Sequence, residues 1–273
     1  MRVIRGIIGV VLLLAQAEVR AEESSREWYF SWGYNRNYWA PSDIHVSQPG
    51  LGNDFTVHDV KGEDFPQFDQ IFSTDFSVPQ FNFRIGRFIS HSIAIELSLE
   101  HSKYTSAPDQ NARITGTING ESVDRDAQLT DDYFRYLLHN GANHLMINLV
   151  KRAPLLGQLN KSFTLSLLLK GGFGILIPHS ENTILGQKND VGPKTLGNSI
   201  GWSNGWWQFG GWTTGAEIAF RFMTVRPVYL EISDKIIYSS MSNIPVYQGR
   251  ADQRVWMNAV IFNLGLAINP NGP

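Results

Sequence analysis

The 273-residue chain contains no cysteine, which excludes a disulfide framework and thiolate metal sites. Neither sign of charge is in excess: 23 Lys and Arg stand against 25 Asp and Glu. With no basic run to track a phosphate backbone, nucleic acid is not an expected partner. Beyond residue 20 no stretch approaches the roughly 20 apolar residues that a membrane helix requires. Mean hydropathy is -0.18. Membrane strands remain open, because polar lumen-facing residues dilute the average of a transmembrane barrel.

What the chain does have is aromatic side chains, 12% of residues with 8 Trp. Its first residues read as a signal peptide. Arg2 and Arg5 form a basic start, "GIIGVVLLLAQA" is an apolar run of secretory length, and Ala21 ends a small-residue cleavage site ahead of "EESS". Residues 1–21 are therefore expected to be cleaved on export, leaving residues 22–273 as one domain.

The remainder alternates with period two, the signature of strands with unlike faces. "RIGRFISHSIAIELSLEHSKY" (Arg84–Tyr104) puts Ile93, Ile95, Leu97 and Leu99 on one side and Ala94, Glu96, Ser98 and Glu100 on the other. Seven further segments behave alike: Glu27–Trp39, Pro79–Ile89, Asn143–Val150, Ser162–Ile177, Trp212–Phe222, Val228–Tyr238 and Val255–Ile268. Eight strands of this length match tilted membrane-spanning strands. The connections alternate long and short or moderate, as external loops and periplasmic turns do. "SHS" (Ser90–Ser92) and the stretch near "TVRP" (Thr224–Pro227) read as short turns; Ser239–Gln253 reads as a fourth outer loop. "DFTVHDV" (Asp54–Val60) is assigned to the first outer loop, since a ninth spanning strand would break the even count. The fold class is thus all-β, an eight-stranded antiparallel transmembrane β-barrel with long outer loops.

Sorting by parity places Arg84, Glu96, Glu100, Lys170, Glu217, Arg221, Glu231 and Lys235 on one face and none on the aliphatic face. In a barrel these meet in the lumen, where pairing is obligatory because an unpaired buried charge is costly. Glycines share that face and make room in a lumen only wide enough for side chains. In a soluble sandwich or lipocalin-like barrel the faces would be reversed. Mid-strand glycines, long outer loops and aromatics at strand ends (Trp28, Tyr34, Tyr38, Trp39, Tyr104, Trp212, Tyr238, Trp256) favour the membrane, the last reading as interfacial girdles. The C-terminal "INPNGP" lacks the terminal aromatic that many such barrels carry.

The architecture resembles the small OmpA/OmpW-like outer-membrane barrels. The stretches "SWGYNRNYWAPSDIH", "FTVHDVKGEDFP", "VPQFNFRIGRFISHSIAIELSLEHSKY", "LLHNGANHLMINL" and "SSMSNIPVYQG" are similar to a family of bacterial outer-membrane β-barrel proteins. That resemblance implies an eight-stranded barrel in the outer membrane and carries no activity. A lipid A deacylase is similar in size and strand count, but its His-x-Ser-Asn pattern is absent: the corresponding stretch reads "YSSMSN", with Tyr238 where the base would be.

Histidines are the most suggestive chemical feature. His91 falls at a periplasmic turn, whereas His45, His58, His101, His139, His144 and His179 fall toward the outer side. His58, Asp59, His101, Ser102, His139 and His144 are the candidates for a hydrolase, acyltransferase or divalent-metal site at the barrel mouth. The alternative is polar side chains that only hydrogen-bond locally. "GWSNGWWQFGGW" (Gly201–Trp212) is a candidate ligand- or glycan-contacting loop or an interfacial anchor. "DRD" and "TDD" (Asp124–Asp126, Thr130–Asp132) form an incomplete Ca²⁺ pattern. The leading expectation is a non-enzymatic structural or surface-interaction barrel with a plugged, charged lumen. It is expected to be a monomer without cofactor or metal, contacting outer-membrane lipids, lipopolysaccharide and the barrel assembly machinery. The second is an outer-leaflet lipid A-modifying enzyme, and the third is passage of a small apolar solute.

Overall fold

The computed structural model describes residues 27–70, 79–159, 161–189, 200–201 and 207–269, with the backbone alone at 139, 140, 200, 201 and 207. The expected signal peptide lies outside the described residues, as do residues 202–206 of the Trp-rich loop and the His139 side chain. Among the described residues, twelve strands longer than two residues carry the fold. They are β1 (Trp28–Trp39), β2 (Ser42–Gln48), β3 (Asn53–Val60), β4 (Phe81–Phe88), β5 (Ile93–Ser106) and β6 (Gln110–Ile118). Then come β7 (Glu121–Leu129), β8 (Leu137–Leu156), β9 (Thr164–Pro178), β10 (Gly211–Met223), β11 (Val228–Val246) and β12 (Gly249–Ile268).

Eight of these strands form a ring: β1, β4, β5, β8, β9, β10, β11 and β12 pair in sequence, all antiparallel. β12 pairs back onto β1 from Trp28↔Ile268 to Trp39↔Met257. No strand of the ring is left with an unpaired edge, the condition for crossing hydrocarbon. The period-two pattern has the expected sense. Ile147, Leu149, Phe173, Phe262 and Leu264 are exposed on the outside, Ile147 at 65%, while their polar neighbours are buried. An apolar exterior around a polar interior is the surface a bilayer solvates. The ring is a transmembrane β-barrel.

Glycines let two inward aromatics lie flat against the wall. A Cβ at Gly86 would fall 2.1 Å from the Tyr29 ring, and one at Gly265 would fall 2.2 Å from the Tyr229 ring. Trp39 and Tyr104 depart from the girdle expected of them. Both point inward, meet edge-on at 5.2 Å, and Trp39 donates to the Lys103 carbonyl at 3.0 Å. Trp39 has the parity of Tyr29, and Tyr104 that of Glu100; parity, not residue type, decides the face. Trp212, Tyr238 and Trp256 do form a contiguous outer row, with ring centroids 5.0–5.5 Å apart.

Above this row the expected polar loops are structured. Ser239–Gln253 is no loop: β11 and β12 continue as a hairpin to Val246↔Gly249. A bulge between Met241 and Ile244 shifts the register there, and Met241, Ile244, Val246, Ala251 and Val255 all remain buried. β2 pairs with the outer end of β12 where β1 leaves it, and β3, β6 and β7 follow in order. "DFTVHDV" is thus a strand, β3, outside the barrel ring. The inner face of this four-stranded cap carries Ile44, Val46, Phe55, Val57, Ala112 and Ile114, all buried. They share one core with Trp39, Tyr104, Tyr136, Leu176, Ile237 and Met257 from the barrel. The interior is therefore charged in the middle but apolar toward the outside, continuous with the cap.

Candidate functional site

The mid-lumen positions of β4, β5, β9, β10 and β11 bring all eight charged side chains singled out above into one layer. Arg84, fully buried, sits at its centre: its guanidinium nitrogens lie 2.6 Å from Glu217, 3.5 Å from Glu100, 3.6 Å from Glu96 and 3.7 Å from Glu231. Lys170 bridges Glu231 at 2.8 Å, Glu96 at 3.1 Å and Glu217 at 3.4 Å. Lys235 holds Glu100 at 2.7 Å, and Arg221 holds Glu231 at 2.7 Å. Four carboxylates face four cations, so the layer is electroneutral, as burial demands.

Toward the periplasm the layer is closed by groups outside the original set. The Tyr29 hydroxyl donates to Glu96 at 3.0 Å. Arg221 lies between the Tyr29 and Tyr229 rings, 4.3 and 4.2 Å from their centroids, a cation–π sandwich. Glu27, just before β1, accepts from Arg152 at 2.8 Å and Arg226 at 2.9 Å, while Arg152 covers the Phe88 ring at 3.6 Å. Arg152 shares the parity of Asn148 and Val150, which was the available signal for its inward direction. Glu27, first residue of the Glu27–Trp39 segment, shares the parity of the inward Tyr29 and Ser31, the same signal.

The histidines whose side chains are described do not gather at one mouth. His101 faces the outside of the wall, where it stacks on Phe81 at 4.9 Å and contacts the Asn143 side chain at 2.7 Å. Ser102 points into the lumen, and its hydroxyl meets no described histidine. His144 is also in the lumen, bonded through Nδ1 to Thr213 at 3.2 Å. His179 meets Glu181 at 3.0 Å, and Asn182 of the same stretch caps the Leu137 amide at 2.7 Å. Among the described residues no group of three or more His, Asp or Glu is arranged to hold a metal ion.

His58 has a different setting. It projects from β3 onto the outward face of the cap, with Nδ1 3.1 Å from Asp43 of β2 and Nε2 2.8 Å from the Thr115 hydroxyl of β6. Asp59 takes no part through its side chain; its amide donates to Asp43 at 2.9 Å. An acid, an imidazole and a hydroxyl in line is the arrangement that activates a hydroxyl nucleophile. Here it lies on an open sheet face. Beside it Arg113 grips Asp124 through two bonds of 2.8 Å, which hold the Asp124 carboxyl below the usual carboxylate range. Cross-strand register alone assembled this row, from residues 15 and 57 positions apart.

No family model matches the chain, and no curated protein matches it. Solved structures similar to it are outer-membrane proteins. AlkL, determined in lipid bilayers by solid-state NMR, is 12% identical over 93% of this chain and 96% of its own, with a TM-score of 0.43. OprG of Pseudomonas aeruginosa is 11% identical over 90% and 97%, TM-score 0.38. Ail of Yersinia pestis, the attachment invasion locus protein, is 12% identical over 89% and 99%, TM-score 0.32.

Proposed function

We propose that the protein is a non-enzymatic surface-interaction barrel, in which the membrane ring anchors a folded cap that presents its surface to the outside. Export through cleavage of residues 1–21 and contact of the outer wall with lipopolysaccharide belong to this reading. The observation that carries it is the filled interior. The electroneutral layer around Arg84 occupies the mid-lumen, and one apolar core runs from Ile237 and Met257 of the barrel to Phe55 and Ile114 of the cap. Such an interior favours rigidity over passage, so solute passage is not adopted. In planar bilayers the purified barrel is expected to give no discrete conductance steps. Cells lacking the protein should attach less to surfaces coated with host or bacterial glycans and proteins. Unchanged attachment across that panel would overturn the reading.

A second reading, modification of outer-leaflet lipid, is favoured by one observation, the Asp43–His58–Thr115 row. It stands a few residues above Trp256, whose carbonyl accepts from the Ala40 amide at the foot of β2. Mass spectrometry of lipid A from cells with and without the protein separates the two readings. The surface-interaction reading expects identical profiles. A difference abolished by His58→Asn would establish the enzyme.

A further inference from the structure

The outermost part of the cap holds a cleft of about 540 Å³, within the range of small-molecule sites. Separate outer segments build it, Tyr133 beyond β7 among them. The β2–β3 turn contributes Leu51 and Asn53, the β6–β7 turn Asn119, and the β11–β12 turn Tyr247; the segment near residues 184–187 adds Leu185 and Gln187. Buried amides lock these walls together. Asn53 donates to Gln48 at 2.8 Å and accepts from the Asn119 amide at 2.8 Å, while Gln48 reaches across to the Tyr247 carbonyl. Three of the turns carry left-handed residues: Gly52 at φ 67°, Asn119 at φ 53° and Gln248 at φ 47°. The cleft is therefore preformed, and binding needs little ordering.

Its chemistry is selective. Among the described residues no Asp or Glu lines it, and Arg125 is the one charged residue that does. β7 alternates, so Asp124 and Asp126 lie on the opposite face from Arg125. Among the described residues no carboxylate pairs with Arg125, whose closest polar contact is the Tyr133 hydroxyl at 3.5 Å. Half-buried tyrosines and leucines offer flat apolar surface, and the exposed amides of Asn119 and Gln187 offer donors and acceptors in pairs. An unpaired guanidinium recognises a carboxylate or phosphate through its fork. Side-chain amides and ring faces suit the hydroxyls and C–H faces of a sugar ring.

The geometry points to this distal cleft as a binding site for a short saccharide bearing an acidic group, carboxylate or phosphate. This rests on the surface-interaction reading and names its ligand class. A peptide is the less favoured occupant, because the polar groups lining the cleft are side-chain amides and a guanidinium, which match ring hydroxyls and an acidic substituent.

The intact barrel, labelled and in detergent, is applied to an array of neutral, carboxylated and phosphorylated oligosaccharides together with acidic peptides. Carboxylated or phosphorylated sugars should bind better than their neutral counterparts. Arg125→Gln should remove about tenfold of that preference, and Tyr247→Ala should weaken acidic and neutral sugars alike, both variants keeping the heat-modifiable gel shift of the folded barrel. Which acidic sugars bind separates a carboxylate source from a phosphate source. Binding only to peptides, binding indifferent to both substitutions, or no binding at all overturns the inference. If the array is blank while deletion of the protein still lowers attachment, the saccharide inference fails and the surface-interaction reading stands; if attachment is also unchanged, both fail.

Discussion

Replacing Arg84 by Met tests the lumen layer most directly. Arg84 is fully buried and faces four carboxylates between 2.6 and 3.7 Å. Removing it leaves Glu96, Glu100, Glu217 and Glu231 against Lys170, Arg221 and Lys235, one negative charge uncompensated in a dry interior. Glu217 loses most. Glu96, Glu100 and Glu231 each keep a cation within 3.1 Å, whereas the nearest remaining cation to Glu217 is Lys170 at 3.4 Å. Breaking a buried pair from one side costs about 3–5 kcal/mol. The double variant R84M/E217Q restores three charges against three, and should recover a large part of the loss. The assay is reversible urea unfolding in lipid vesicles, followed by tryptophan fluorescence and by the heat-modifiable gel shift, with the double-mutant cycle giving the coupling. A single-variant cost below about 1 kcal/mol, which is the range of exposed pairs, would refute the reasoning. A double variant no more stable than R84M would also refute it.

Three further outcomes follow from other layers. Phe55→Ala opens a void in the core shared by cap and barrel; a loss of about 3–5 kcal/mol is expected, read as proteolysis of the outer segments on intact cells while the barrel gel shift persists. Gly265→Val places side-chain atoms where the Tyr229 ring lies, so refolding yield should collapse, and Tyr229→Ala in the same chain should restore part of it. Asp64, in the first outer segment, is buried against the Asn37 amide and Arg36, both at 3.0 Å, and burial raises its carboxyl above the usual range. The folded state then holds this proton more tightly than the unfolded one. The cap's stability should fall as pH rises from the unfolded carboxylate value through the raised folded one. Asp64→Asn should flatten that slope in proteolysis measured across the acid range.

Much of the barrel was readable because period two is a local property. Ile95 and Glu96 declare opposite faces whatever lies beside them, and the eight charged residues sort onto one face without any knowledge of partners. The cap was less readable. Ile44 and Val46, or Phe55 and Val57, alternate just as strictly, but in runs so short and so mixed with Asp, His and Asn that they resemble loop. The β11–β12 hairpin was hidden for another reason: the bulge after Met241 breaks the parity that would have extended the strands. Trp39 and Tyr104 face inward despite their aromatic character, because strand parity sets the side from which a side chain projects.

The sequence by itself determined which residues face lipid and which face inward, and that the inward charges balance in number. The tertiary structure alone decided who meets whom. Arg84 and Glu217 are 133 positions apart, and the separation is bridged only when the ring closes and register is set around the whole barrel. The same holds for Asp43, His58 and Thr115, and for the turns that wall the distal cleft. Alternation assigns a side chain to a face, whereas cross-strand register, a property of the closed sheet, assigns it a neighbour.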